Sequence, residues 1–321
     1  MLKQFRDFCF KFTTMHLLNK IYLQPGLHML LTGLGMIAGC ACGQKSDDER
    51  LRPHYLEFST SAELHAFFAY RQDAAPIISG HRGTIEGGMP ENSIAGMEYV
   101  LAHTPAIFEI DPRLTKDSMI VVLHDATLDR TTNGTGNVAD YTWQELKKLR
   151  LKDREGRITP YRISTLAEMI QWARGKTVLN LDKKDVPLAM TADIIRRYHA
   201  DAFVMVTVHN AEDAKFFYDD NPQRMFSAFV TTPAALLAYE RVGIPTSQMI
   251  AYIGPEIKAS NQALYRVLHS KGIRCMISAA PKYDKMETVE ERAKAYRQIR
   301  EDGATVLESD LPTEVAEALQ N

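Results

Sequence analysis

The chain has 321 residues, with 38 Lys and Arg against 40 Asp and Glu and a formal net charge of −2. A balance this close to neutral carries no global basic field, which removes charge as an argument for nucleic-acid binding. With 45% hydrophobic and 24% charged residues, 14 prolines and 18 glycines, the composition is globular rather than disordered, and the length accommodates one α/β barrel of ~250 residues.

Residues 1–28 carry Lys3, Arg6, Lys11 and Lys20 against a single acid, Asp7, and an apolar run, Met29–Gly39, ends at Cys40. A basic segment, a short apolar core and a small-residue site form a secretory signal, and the run is too short for a spanning helix of ~20 residues. Ile37-Ala38-Gly39-Cys40 resembles a bacterial lipobox, in which Cys40 is lipidated and becomes the mature N-terminus; an ordinary cleaved signal is the alternative. The long basic segment suggests that translation begins at Met15. Residues 1–39 are therefore expected to be a lipoprotein signal peptide. Residues 40–58, opening with Gly43-Gln44-Lys45-Ser46-Asp47-Asp48-Glu49-Arg50, read as a flexible tether. Those acids resemble a surface-export signal and equally suit a plain solvated linker. Three of the four cysteines, Cys9, Cys40 and Cys42, precede the folded region, so no disulfide framework is expected and Cys275 reads as an inert buried thiol.

Residues 59–321 are expected to form the folded domain. Segment 60–72 reads as a helix closing the bottom of a barrel. Eight short, continuously apolar runs follow: Ile77–Gly80, Ala106–Asp111, Thr177–Asp182, Ala202–Val208, Met225–Val230, Gln248–Gly254, Arg274–Ala279 and Thr305–Asp310. Continuous apolarity is the mark of strands buried on both faces. Helical patterns lie between them: Ile94, Met97 and Leu101 share a face, as do Leu166, Met169, Ile170 and Ala173, and segments 188–199, 211–219, 233–241, 261–271, 288–302 and 312–320 fill the other gaps. Asn92 and Thr165 are expected N-caps, and Gly243, Gly272 and Gly303 expected helix ends. Eight alternations favour a parallel (β/α)₈ TIM barrel over an open doubly wound sheet. One gap is too long, so an insertion after strand two is expected over about 113–163. It contains the run Met119–Leu123, a turn-rich stretch ending at Gly136, and a helix Trp143–Leu149 opened by Thr142 and Glu145.

Barrel active sites lie where strands end at their C-terminal edge. Here those ends read Gly80-His81-Arg82-Gly83, Glu109-Ile110-Asp111 and Asn180-Leu181-Asp182-Lys183-Lys184, and the insertion run ends in His124-Asp125. A spacing of two puts Glu109 and Asp111 on one face, where they repel unless one is protonated or a cation sits between them. With Asp182 they offer three hard oxygen ligands, which suit magnesium or calcium rather than zinc. Lys184 is expected to point inward beside Asp182, and Arg82 offers a forked donor, both suited to phosphate oxygens. His81 and His124 then divide the base and acid roles that cleavage of a phosphodiester needs. Among the other histidines, His54, His65, His103, His199, His209 and His269 read as surface or structurally satisfied groups, His209 lying closest to the expected mouth. Lys183 is expected outside the barrel, Trp143 and Trp172 in packing, and the Gly87-Gly88 loop at the site entrance.

The ordered set His81-Arg82-Gly83, Pro90-Glu91-Asn92-Ser93, Glu109-Ile110-Asp111, His124-Asp125, Leu128-Asp129-Arg130-Thr131-Thr132 with Gly134 and Gly136, Asn180–Lys184 and Ser309-Asp310-Leu311-Pro312 resembles the glycerophosphodiester phosphodiesterase family from about Ile77 to Leu319. The resemblance implies a barrel, one divalent cation (magnesium or calcium), and hydrolysis of glycerophosphodiesters to an alcohol and glycerol 3-phosphate. It implies catalytic roles for His81 and His124, metal ligation by Glu109, Asp111 and the third-strand acid, and phosphate contacts by Arg82 and Lys184. Two features depart from the family pattern: Asp182 stands where the family usually has glutamate, and the seventh strand, Cys275-Met276-Ile277-Ser278-Ala279, lacks the usual aromatic residues. The attacking group is either a metal-bound water or the substrate's own neighbouring hydroxyl. Two other functions are weighed beside hydrolysis: a phospholipase-D-like lyase that forms a cyclic phosphate from lysophospholipids, and a non-catalytic lipoprotein that binds phosphodiesters. The expected partners are a small-molecule substrate and, through the lipid anchor alone, a bacterial membrane facing the periplasm or cell surface; no nucleic-acid or protein partner is indicated.

Overall fold

The structure is a computed structural model, and it describes residues 53–320. The signal peptide, Cys40 and most of the expected tether lie outside the described residues. Eight parallel strands close a barrel: β1 (Ile77–Gly80), β2 (Ile107–Ile110), β3 (Leu179–Leu181), β4 (Val204–Val208), β5 (Met225–Phe229), β6 (Met249–Gly254), β7 (Cys275–Ser278) and β8 (Val306–Ser309). They pair in chain order, and β1 closes the ring on β8 through Ile77↔Val306 to Gly80↔Ser309. The expected (β/α)₈ TIM barrel is thus the observed fold.

The strand sequences share a rule that sets out the whole interior. One inward layer is apolar: Ile77, Ile107, Val178, Met205, Met225, Ile250, Met276 and Val306, packed against Leu64 and Phe68 of the helix Ser61–Phe68. Side chains on a strand return to the same face every second residue. Two positions further along each strand stand Ser79, Glu109, Asn180, Thr207, Ser227, Tyr252, Ser278 and Glu308, all buried except the half-buried Tyr252. The barrel is therefore sealed with hydrocarbon at its N-terminal end and turns polar within one pleat of the C-terminal mouth. The larger core lies outside the barrel wall, where the outward strand residues meet helices such as Leu166–Ala173, whose Leu166, Met169, Ile170 and Ala173 are all buried.

Several boundaries differ from the sequence-based expectation. The segment from His54 to Phe58 belongs to the barrel rather than to a flexible tether: His54 N donates to Leu101 O at 2.7 Å and Leu56 N to Lys176 O at 2.8 Å, while Leu56 and Phe58 pack on the bottom layer. The insertion has its own core of Val121, Leu123, Leu128, Val138, Leu146, Leu151 and Ile163. It also contains two antiparallel pairs, Pro112–Leu114 with Ile120–Val122 and Arg150–Lys152 with Ile158–Arg162, the second of which is too polar to show as a strand in the sequence. Its helix covers only Trp143–Leu146. The cap of the helix Ile94–Leu101 is Ser93, whose hydroxyl accepts from Gly96 N, and not Asn92.

Candidate active site

A cavity of about 190 Å³ opens at the mouth of the barrel, lined by residues that include His81, His124, Glu109, Asp111, Asp182, Lys184 and Glu308. His81 follows β1 at a sharp turn. A side chain at Gly80 would bring its Cβ within 2.0 Å of the Gly83 carbonyl oxygen, so the chain can reverse here only with glycine. Arg82 takes a φ of 54° and Asn92 the same value, conformations that cost of the order of 1–3 kcal/mol each in a residue with a Cβ. Their contacts hold them there. Arg82 N donates to Glu109 Oε2 at 2.9 Å. Asn92 Nδ2 donates to Asp111 Oδ2 at 2.7 Å, and Asp111 N donates back to Asn92 Oδ1 at 3.1 Å. Asn92, expected to cap a helix, instead aligns one of the candidate metal carboxylates.

Each imidazole is oriented by a carboxylate. His81 Nδ1 lies 2.7 Å from Asp310 Oδ1 and His124 Nδ1 lies 2.8 Å from Asp125 Oδ1. An ionised carboxylate only accepts, so Nδ1 carries a proton in each ring and Nε2 is left for the cavity. Burial alone would lower the pKa of His81, but the hydrogen bond to Asp310 and the charges of Glu308 and Asp310 outweigh it, and the net shift is upward. Asp125 is held well below the usual carboxylate range, chiefly by Arg130, whose Nε donates to Asp125 Oδ2 at 2.7 Å. Arg130 also forks onto Glu91 at 2.6 and 2.9 Å. The Asp310 carboxylate sits where it does because Asp284, itself 6% exposed, accepts from Asp310 N at 2.7 Å, from the Ser309 hydroxyl at 2.8 Å and from Tyr296 OH at 2.7 Å. Burial pushes the Asp284 carboxyl up to about 6.

The three acids converge as their spacing requires. Glu109, Asp111 and Asp182 each offer an oxygen, and these atoms lie within 4.8 Å of one another. Burial raises the pKa of Glu109 well above normal, and repulsion from Asp111, Glu308 and Asp182 raises it further. Such a cluster keeps a proton unless a cation neutralises it. The ammonium of Lys184 supplies part of that charge, 2.6 Å from Asp182 Oδ2 and 3.0 Å from Asp111 Oδ1. Three converging carboxylate oxygens fit a hard divalent cation. Asp182 is within reach of this cluster despite its short side chain.

Four further features of the mouth were absent from the sequence reading or only partly legible in it. Glu308 is buried beside the acids, its pKa raised chiefly by burial, and its place in an apolar run had masked it as strand. Asp310 was visible only as part of a motif. His209 Nε2 comes within 3.8 Å of Asp182 Oδ1, and its ring meets Phe229 edge-on with centroids 4.3 Å apart. Phe229 and Tyr252, whose centroids are 4.6 Å apart, form an aromatic wall contributed by β5 and β6 in place of the aromatics missing from β7. Arg82 has its Nε 3.8 Å from Asp111 Oδ2, and its guanidinium lines an adjoining cavity. Lys183 pairs with Asp213 at 2.6 Å on the outer helix Ala211–Asp220, outside the mouth.

The Asp310–His81 bond makes a prediction about pH. Replacing Asp310 with Asn removes the charge that raises His81, so the His81 pKa should fall. Whichever limb of the pH–rate profile His81 controls should then move to lower pH, the acidic limb if it acts as base and the alkaline limb if it acts as acid. A profile of Asp310→Asn superimposable on that of wild type would exclude an acid–base role for His81.

In class, this is a parallel (β/α)₈ barrel with carboxylate-oriented imidazoles and a cluster of three acids that could hold a cation, at the mouth from which barrel enzymes work. A sequence model of the glycerophosphoryl diester phosphodiesterase family matches residues 81–190, a span that contains His81, Arg82, Glu109, Asp111, His124, Asp182 and Lys184. A crystal structure of a glycerophosphoryl diester phosphodiesterase from Parabacteroides distasonis is 54% identical, covers 84% of this chain and 94% of that one, and has a TM-score of 0.83. The chain belongs to the glycerophosphoryl diester phosphodiesterase family. Curated glycerophosphodiester phosphodiesterases from Caldanaerobacter subterraneus (39% identical over 104 residues, 32% of this chain) and Bacillus altitudinis (45% over 71 residues, 22% of this chain) are matched over only 42% and 29% of their own lengths. The fold is shared by an Oleispira antarctica phosphodiesterase solved with its product sn-glycerol-3-phosphate, at 20% identity and a TM-score of 0.61 over 77% of this chain and 98% of that one.

Proposed function

We propose that this protein hydrolyses glycerophosphodiesters to an alcohol and glycerol 3-phosphate. The observation that carries this reading is the pair of imidazoles, each fixed through Nδ1 by its own carboxylate and each lining the same cavity as the three acids. Cleavage of a phosphodiester requires one proton to leave the attacking hydroxyl and one to reach the departing alkoxide. His81 and His124 divide these transfers through Nε2, and Asp310 and Asp125 hold the tautomer and stabilise each ring when it is charged. Lys184 and Arg82 contribute positive charge against the phosphoryl oxygens. Glu109, Asp111 and Asp182 would hold a divalent cation, magnesium or calcium. When bound, it would neutralise phosphoryl charge and help to align the diester. The product complex of the Oleispira antarctica relative supports glycerol 3-phosphate as the product.

Phosphorus NMR of a reaction with glycerophosphocholine tests the assignment. Glycerol 3-phosphate should accumulate as the terminal product. A stable cyclic phosphate would make the protein a lyase, and an unchanged diester would leave it a binding protein.

The sequence before the barrel supports export and lipid anchoring at Cys40, with a role in glycerophospholipid turnover outside the cytoplasm. Metabolic labelling with a fatty acid should mark the wild-type protein in a bacterial host and spare Cys40→Ala; label retained by the variant would refute the anchor.

A further inference from the structure

A second cavity, of about 500 Å³, adjoins the catalytic one. Its wall holds Asp310, the partner of His81, and Arg130, which grips the Asp125 partner of His124, so it abuts both halves of the acid–base pair. Arg82 lines it as well while approaching Asp111. The catalytic cavity, about 190 Å³, is smaller than the ~300–1,000 Å³ that encloses a whole drug-sized ligand, so part of a larger diester must lie beyond it. The neighbouring cavity is the adjacent space of the right size.

The charges facing that space are unevenly neutralised. Its acids are engaged in internal bonds: Glu91 with Arg82 and Arg130, Asp153 and Glu155 with Arg157, Asp310 with His81, and Asp284 with Tyr296, Ser309 and Asp310 N. The cations are less so. Lys152 Nζ donates to the neutral carbonyl of Asp129 at 2.9 Å. Arg154 has no side-chain hydrogen bond among the described residues, and its charge acts on Asp310 from a distance. Lys285 has no ion-pair partner among the described residues. Lys152 and Arg154 come from the insertion hairpin Arg150–Lys152 with Ile158–Arg162, and Lys285 from the loop after β7.

We infer that this cavity is the subsite for the leaving alcohol and that it selects alcohols bearing a further negative charge over cationic ones, with Lys152, Arg154 and Lys285 as the selecting residues. The inference rests on the hydrolase reading and gives the insertion a role in specificity. Three incompletely neutralised cations at a largely exposed rim are worth about tenfold in rate between an anionic and a cationic alcohol.

The test compares kcat/KM for glycerophosphoinositol 4-phosphate, glycerophosphoglycerol and glycerophosphocholine at low ionic strength. The anionic alcohol should exceed choline by about tenfold, and added salt should compress the ratio. Arg154→Ala and Lys285→Ala should each bring the ratio toward one; because the readout is a ratio, any general loss of activity cancels. Choline turned over as fast as the anionic alcohol, or a ratio unmoved by both substitutions, would overturn the subsite while leaving the hydrolase standing. Failure to cleave any of the three would overturn the hydrolase reading, and the subsite with it.

Discussion

Alanine at His81 or at His124 should lower turnover of a glycerophosphodiester by ~10²–10⁴-fold, the usual contribution of a positioned acid or base, with the fold intact. Both side chains are part-exposed at the mouth, at 22% and 32%, and neither belongs to the apolar layers that hold the barrel together. Their removal should therefore leave the melting temperature and far-ultraviolet dichroism close to wild type. The effects should also fail to add, because two groups acting on one displacement behave as a unit. A double variant as slow as the product of the two single losses, or single variants with near-normal turnover, would contradict the shared role.

Removal of the divalent cation, or of the acids that would hold it, should have an effect of similar size. Charge neutralisation by a bound cation is worth several kcal/mol, and at ~1.4 kcal/mol per decade that is roughly a thousandfold. Chelation should abolish turnover reversibly, and Asp111→Asn should abolish it without rescue by added magnesium or calcium. A second readout does not depend on activity. Burial, together with Asp111, Glu308 and Asp182, keeps Glu109 protonated well above the usual carboxylate range, and a cation reverses that balance, so binding should expel up to about one proton. Calorimetry of cation binding in two buffers of different ionisation enthalpy measures the proton directly. Cation affinity unchanged in Asp111→Asn, or turnover that survives chelation, would show that the acids do not act as a ligand set.

How much of this was legible in the sequence depends on the range of the interaction involved. Strand and helix positions were readable because burial imposes a local pattern. Val204–Val208 is continuously apolar because both faces of that strand are covered, and Thr165 announces its helix by a capping box with Glu168. Glu109 and Asp111 were readable as a pair because the period of a strand puts them on one face. The hairpin strand Ile158–Arg162 was not, because alternate residues face solvent and its partner Arg150–Lys152 is largely polar.

Local periodicity and short motifs at strand ends were enough to predict the barrel and to single out the two imidazoles, the three acids, Arg82 and Lys184 as candidates. The pairings became visible in the folded chain alone: Asp310 with His81 across 229 residues of chain, Asn92 with Asp111, Glu308 beside the acids, and the aromatic wall on β5 and β6 rather than β7. Barrel closure joins β1 to β8, and the resulting contacts have no local signature in sequence. Their energies come from distances and burial that exist only after the ring has closed.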